Sequence, residues 1–155
     1  MNNLRIINRN GNITIFNPAT GEIIIDGNGA CDTPVLLDVS LTNKCSYSCA
    51  YCYKNSSPEG TDMSMDDFEL LIKKMKEAKI FQVAYGGGNP NEHPCFNEIL
   101  RKTREAGIIP NYSTNGSNLS DEIIEATSKY CGAIAISIHK SINEYKGLIL
   151  KLTSK

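Results

Sequence analysis

No run of about 18 apolar residues occurs in the chain, so no segment reads as a membrane span. The N-terminus, Met1 to Asn10, lacks the apolar core and small-residue cleavage site of a signal peptide, and the expected compartment is the cytoplasm. An excess of one charge is missing too: 16 Lys and Arg stand against 17 Asp and Glu, leaving no basic field to draw in nucleic acid. The seven tyrosines show no stacking pattern of the kind that holds bases. A disulfide framework is absent as well. Of six cysteines, three are bunched and Cys31, Cys95 and Cys131 are scattered, which fits a metal site in a reducing compartment. What remains is ordinary globular composition, 41% hydrophobic and 21% charged, on 155 residues that suffice for one core.

Short β-rich runs open the chain: Leu4 to Asn8, Ile13 to Phe16, and Glu22 to Ile25. Asn10-Gly11 between the first two is a strong hairpin signal, because both residues tolerate the positive φ of a type I′ turn. A small β-meander over residues 1–29 is therefore expected, ending in the linker Gly27-Asn28-Gly29, with the main domain over residues 30–155.

From there the pattern alternates. The strand Val35 to Leu41 runs directly into Cys45-Ser46-Tyr47-Ser48-Cys49-Ala50-Tyr51-Cys52. Ser64 caps a helix with Asp67 at its third position, and Met65, Phe68, Leu71, Ile72, Met75 and Ala78 line one face to about Lys79. The strand Phe81 to Tyr85 ends at Gly86-Gly87-Gly88-Asn89-Pro90. Pro94 suits a first helical turn, and the helix that follows stops at Gly107. Ile108 to Tyr112 leads to Ser113-Thr114-Asn115-Gly116, a helix opens at Ser120, and Ala133 to Ile138 leads to His139. Ser141 and Glu144 form a capping box for a last helix. Strand then helix, repeated with short connections, predicts parallel βα units in an α/β fold. Ligands of such sheets bind at the carboxyl ends of the strands. Thiolates, glycines and small polar groups converge on that rim.

The C-x3-C-x2-C spacing of Cys45, Cys49 and Cys52 leaves a metal centre one ligand short. Thiolates are soft donors suited to iron–sulfur clusters or zinc. Spacing alone leaves zinc open, its fourth ligand drawn from Cys31, Cys95, His93 or His139. Those histidines read as hydrogen-bonded structure rather than catalytic groups, and the scattered cysteines as small buried apolar residues.

Together these residues resemble the radical S-adenosylmethionine (radical SAM) enzyme family, whose C-x3-C-x-aromatic-C follows the first barrel strand; here that is Cys45, Cys49, Tyr51 and Cys52. The resemblance implies three irons of a [4Fe-4S] cluster on the cysteines and a fourth iron open to SAM. It implies reductive cleavage of SAM to a 5′-deoxyadenosyl radical that abstracts a substrate hydrogen, and hence an electron donor. Gly86, Gly87 and Gly88 resemble the family's Gly-Gly-Glu segment, where backbone approaches the methionine amino group; Asn89 stands where a glutamate is common. Ser113, Asn115 and Ser137 match strand ends that contact SAM, and Tyr51 the aromatic near adenine.

The family fold is a partial (β/α) TIM-like barrel of about six units, against four counted here after the meander. An open edge of so small a parallel sheet calls for cover, by a second chain or a homodimer. The alternative expectation is a non-catalytic cluster- or zinc-binding module, a remnant or half of a two-chain enzyme.

Overall fold

The structure, a computed structural model, describes residues 4–9, 11–27, 33–47 and 49–154. Asn10 of the expected turn, the boundary at Asn28 and Gly29, and Cys31 lie outside the described residues. The antiparallel meander comprises β1 (Arg5–Arg9), β2 (Asn12–Phe16) and β3 (Ile23–Asp26), in that order. The pairing of Arg9 with Asn12 closes β1 and β2 around two residues, and Gly11 takes φ +84°, as a primed turn requires.

The parallel sheet holds β4 (Leu36–Thr42), β5 (Gln82–Gly87), β6 (Ile109–Thr114) and β7 (Ala133–Ile136) in chain order. Helices α1 (Met65–Glu77), α2 (Phe96–Glu105) and α3 (Asp121–Tyr130) connect successive strands, and α4 (Ile142–Thr153) follows the last. The chain thus holds four parallel βα units, with β4 and β7 each paired on one side within this sheet.

Local chemistry accounts for the boundaries. The Ser64 hydroxyl accepts the Asp67 N–H (3.1 Å), and Ser120 accepts the Ile123 N–H (3.3 Å), each satisfying a donor of the first turn. The expectation that α1 reaches Lys79 is corrected: Lys79 sits at φ +56°, in the left-handed region that ends helices, so α1 stops at Glu77. Pro94 is corrected likewise. It precedes the N-cap Cys95 rather than entering the first turn. The β7 strand ends at Ile136, short of Ile138, and Ser137 gives one further N–H to the Thr114 carbonyl (2.8 Å).

Period-two alternation divides each strand between two faces. Leu37, Val39, Leu41, Val83, Tyr85, Tyr112 and Ile134 belong to a core shared with the helices, built on Phe68, Met75, Phe96, Ile99 and Leu100. Two buried phenols there are satisfied, Tyr85 by the Thr103 hydroxyl (2.6 Å) and Tyr112 by Thr127 (2.8 Å). Cys95 and Cys131 pack against this core, half-buried, in keeping with the expected role of small apolar residues. A second cluster joins the meander to the sheet, with Phe16 stacked on Phe81 (ring centroids 4.9 Å apart) beside Ile109. Phe81 and Ile109 lie where β5 and β6 begin, so the meander covers the end of the sheet opposite the cysteines.

Leu100 is fully buried at the centre of the main core. Leu100→Ala is expected to lower unfolding stability by about 3 kcal/mol, read as a shift of the urea midpoint at unchanged slope.

Candidate active site

The cysteine loop begins where β4 ends, and its base is tied down on two sides. On one, Asn43 donates to the Thr61 carbonyl (2.8 Å) and Cys45 to Ser57 (3.0 Å), while Asp62 accepts from the Thr42 hydroxyl (2.6 Å) and Lys44 Nζ (2.5 Å). Burial pushes the Asp62 carboxyl up, but Lys44 and Thr42 together hold it below the usual range. On the other side, Gly88 donates to the Thr42 carbonyl (2.6 Å) and Asn89 to Lys44 (2.8 Å). These bonds need glycine: a Cβ on Gly88 would overlap the Lys44 carbonyl, and one on Gly87, at φ +108°, the Ser40 hydroxyl and Thr42 carbonyl. Gly86 is different. A Cβ there would make only an ordinary contact, with Asp38 Oδ1 at 3.9 Å.

Above this base lies a cavity of about 290 Å³, lined by the three cysteines, Gly86 to Gly88, Ser113 to Asn115, Ser137, and the rings of Tyr51 and His139. Of the residues expected from sequence, Cys45, Cys49, Cys52, Tyr51, Gly86, Gly87, Gly88, Ser113, Asn115 and Ser137 are brought together on it. Asn89 is not among its lining residues. Its side chain is 1% exposed and joins the strand ends, accepting from the Thr114 hydroxyl (2.8 Å) and Asn115 N–H (3.2 Å) and donating to Glu92 (2.9 Å).

Sequence reasoning passed over Asp38 and Glu92, and weighed His139 only as a metal ligand or structural histidine. Asp38 lines the cavity from the face of β4 opposite Leu37 and Val39, which strict alternation along the strand would have shown. The ring of His139 stands against Tyr47 (centroids 5.8 Å) and near Tyr51, whose hydroxyl lies 3.3 Å from Nδ1. Glu92 reaches Ser46 within the cysteine loop, accepting its N–H (3.0 Å) and its hydroxyl (2.8 Å). Nothing in the spacing of Glu92 foretold that contact. His93 is structural, as expected: it is buried, its Nδ1 accepts the Cys95 N–H (3.1 Å), and its Nε2 therefore carries the proton toward the Met63 carbonyl (2.9 Å).

The thiols differ in environment. Burial pushes the Cys45 thiol up despite an amide from Asn115 at 3.5 Å. Backbone N–H groups of Ser56 and Lys54 hold Cys52 below the usual thiol value. Among the described residues, no three His, Cys, Asp or Glu side chains gather as a single-ion site. Three thiols lining one cavity are soft donors of the kind that hold iron–sulfur clusters, whose sulfurs accept hydrogen bonds. The donor set and the donors to Cys45 and Cys52 fit such a group.

Comparison with known proteins agrees. The Radical SAM superfamily model matches residues 39–155, from β4 to the end of the chain. The chain belongs to the radical SAM superfamily. The cofactors of this family are a [4Fe-4S] cluster and SAM. Over 95 residues the chain is 32% identical to the tungsten-containing aldehyde ferredoxin oxidoreductase cofactor-modifying protein of Pyrococcus furiosus, covering 57% of this chain and 26% of that protein. It is 29% identical to the antilisterial bacteriocin subtilosin biosynthesis protein AlbA of Bacillus subtilis, covering 75% of this chain and 26% of that protein. The chain thus spans about a quarter of the length of these curated relatives. Streptococcus suis SuiB bound to S-adenosylmethionine superposes with a TM-score of 0.60 at 18% identity, over 74% of this chain and 28% of SuiB, which establishes a shared fold.

The thiol environments predict an order of alkylation in metal-free protein. Among the described cysteines, with iodoacetamide near pH 8, Cys52 reacts first and Cys131 last, since burial pushes the Cys131 thiol up to about 12; peptide mass mapping over time checks this. Gly88→Ala is expected to displace the Lys44 segment and lower iron bound after reconstitution at least about tenfold, with the far-ultraviolet circular dichroism retained.

Proposed function

We propose that this chain, acting through residues 30–155, binds a [4Fe-4S] cluster on Cys45, Cys49 and Cys52 and SAM beside it, and performs radical chemistry on a further substrate. The observation that carries the proposal is the single cavity at the strand ends, lined at once by all three thiols, the glycine rim and the polar ends of β6 and β7. When bound, the cluster and SAM supply a one-electron cleavage that yields methionine and a 5′-deoxyadenosyl radical, which becomes 5′-deoxyadenosine on taking a substrate hydrogen.

The protein's part is placement. Gly86 leaves space beside the thiols, and its backbone, with those of Gly87 and Gly88, is the surface offered to the SAM amino group. Ser113, Asn115 and Ser137 supply hydroxyl and amide groups for the polar parts of SAM, and Tyr51, 78% exposed at the rim, an aromatic face for adenine. Asn89, tied to Thr114, Asn115 and Glu92, positions the strand ends beside the surface offered to SAM. Asp38 brings a carboxylate to the cavity wall.

The reading includes a one-electron donor, a cytoplasmic setting, and a second chain or copy along the outer edge of β7 or of β4, whose last residues already pair with Asp62 and Met63. No helix among the described residues is long and apolar enough to cross a membrane. No observation favours the non-catalytic alternative.

Anaerobic reconstitution with iron and sulfide, then dithionite and SAM, tests the function. The expected result is brown protein that forms 5′-deoxyadenosine and methionine in equal amounts, with both lost in Cys45→Ala, Cys49→Ala and Cys52→Ala. A fully loaded cluster that leaves SAM intact, or colourless protein holding one zinc, would overturn it.

A further inference from the structure

The rim formed by β5 carries an amide at Asn89, where a carboxylate is common in the family pattern, and a carboxylate at Glu92. Glu92 closes the short 3-10 turn Pro90–Glu92, whose neighbours Pro90 and Asn91 are buried, so its backbone is firmly seated. From there its side chain crosses to the cysteine loop. Oε2 accepts the Ser46 N–H (3.0 Å), and Oε1 accepts the Ser46 hydroxyl (2.8 Å) and Asn89 Nδ2 (2.9 Å). The Ser117 hydroxyl lies 3.3 Å from Oε1 and 3.1 Å from the Ser46 hydroxyl. Ser117 also donates to Asn115 Oδ1 (2.6 Å), and the Asn115 amide reaches Cys45 Sγ (3.5 Å). One carboxylate therefore joins the loop that carries the cysteines to the ends of both β5 and β6.

Electrostatics alone would not put it there. A negative charge beside Cys45 is unfavourable to a neighbouring thiolate, so it is the hydrogen bonds to Ser46 and Asn89 that hold the carboxylate in place. Glu92 nonetheless stays ionised: burial pushes its carboxyl up, but the hydrogen bonds from Asn89 and Ser46 hold it below the usual range. Hydrogen bonds to an ionised acceptor are about twice as strong as neutral ones. Ser46 immediately follows Cys45, so fixing its backbone N–H fixes the exit of the loop from its first cysteine.

We propose that Glu92 is a positioning residue of this site: its carboxylate clasps Ser46 so that the cysteine loop is held in register with the ends of β5 and β6. The inference rests on the functional reading above only for its cluster readout. The clasp itself belongs to the metal-free chain.

The test compares wild type, Glu92→Ala and Glu92→Gln in two measurements. In metal-free protein, amide hydrogen exchange read by mass spectrometry over residues 43–53 is expected to quicken at least about tenfold in Glu92→Ala while the strands stay protected. Glu92→Gln, which keeps one acceptor oxygen for Ser46, falls between that variant and wild type. In reconstituted protein, the rate of iron loss to a ferrous chelator is expected to rise about tenfold to a hundredfold in Glu92→Ala, with the same intermediate place for Glu92→Gln. Unchanged exchange in the loop overturns the inference. So does exchange that quickens throughout the sheet, or equal loss of iron from all three proteins. A wild type that takes up no iron and sulfide defeats the functional reading instead, and the exchange measurement still decides the clasp.

Discussion

Everything at the candidate site depends on how closely the end of β5 approaches the end of β4. Two backbone hydrogen bonds, Gly88 N–H to Thr42 and Asn89 N–H to Lys44, extend the parallel pairing past the last regular residues and bind the start of the cysteine loop to the glycine segment. Only residues without a Cβ at 87 and 88 permit that contact. The cavity is its consequence. With β4 and β5 fixed there, the thiols, the open side of Gly86 and the polar ends of β6 and β7 face one another across a single space.

A polar lattice behind the rim makes the arrangement rigid. Asn89, Thr114, Asn115, Ser117 and Glu92 share hydrogen bonds between the segments that follow β5 and end β6, and Asn89 and Thr114 are almost wholly buried. Buried networks of this kind are favourable only when their members are satisfied, and they then specify one geometry. Beneath them the core of Leu41, Val83, Tyr85 and Tyr112 fixes the strands, and the Phe16–Phe81 stack closes the far end. The pattern follows the general rule for parallel sheets, with stability invested at one end and chemistry at the other.

Much of this was legible in the sequence because the relevant signals are periodic or local. Alternation in β4 to β7, the caps at Ser64, Ser120 and Ser141, and the spacing of three cysteines after a strand each follow from one stretch of chain. What stayed hidden depends on contacts between distant residues. Asn89 reads as a cofactor contact from its place beside the glycines, yet the turn at Pro90–Glu92 directs its amide toward Thr114 and Asn115. The glycines were read for approach to a ligand, whereas two of the three are also required by the neighbouring strand. Glu92 and Ser46 are 46 residues apart, and no local pattern links them. The early end of α1 turns on one residue, Lys79, in a left-handed conformation that its side chain does not advertise.

The central claim is that the coordination position left open by Cys45, Cys49 and Cys52 faces the glycine rim and is filled there by SAM. Electron paramagnetic resonance of the reduced, reconstituted protein with and without SAM tests it most directly. The account predicts a [4Fe-4S]⁺ signal whose g-values move when SAM is added, with hyperfine coupling to ¹⁷O or ¹⁵N placed in the SAM carboxylate or amino group. A cluster signal that SAM leaves unmoved and uncoupled would contradict it.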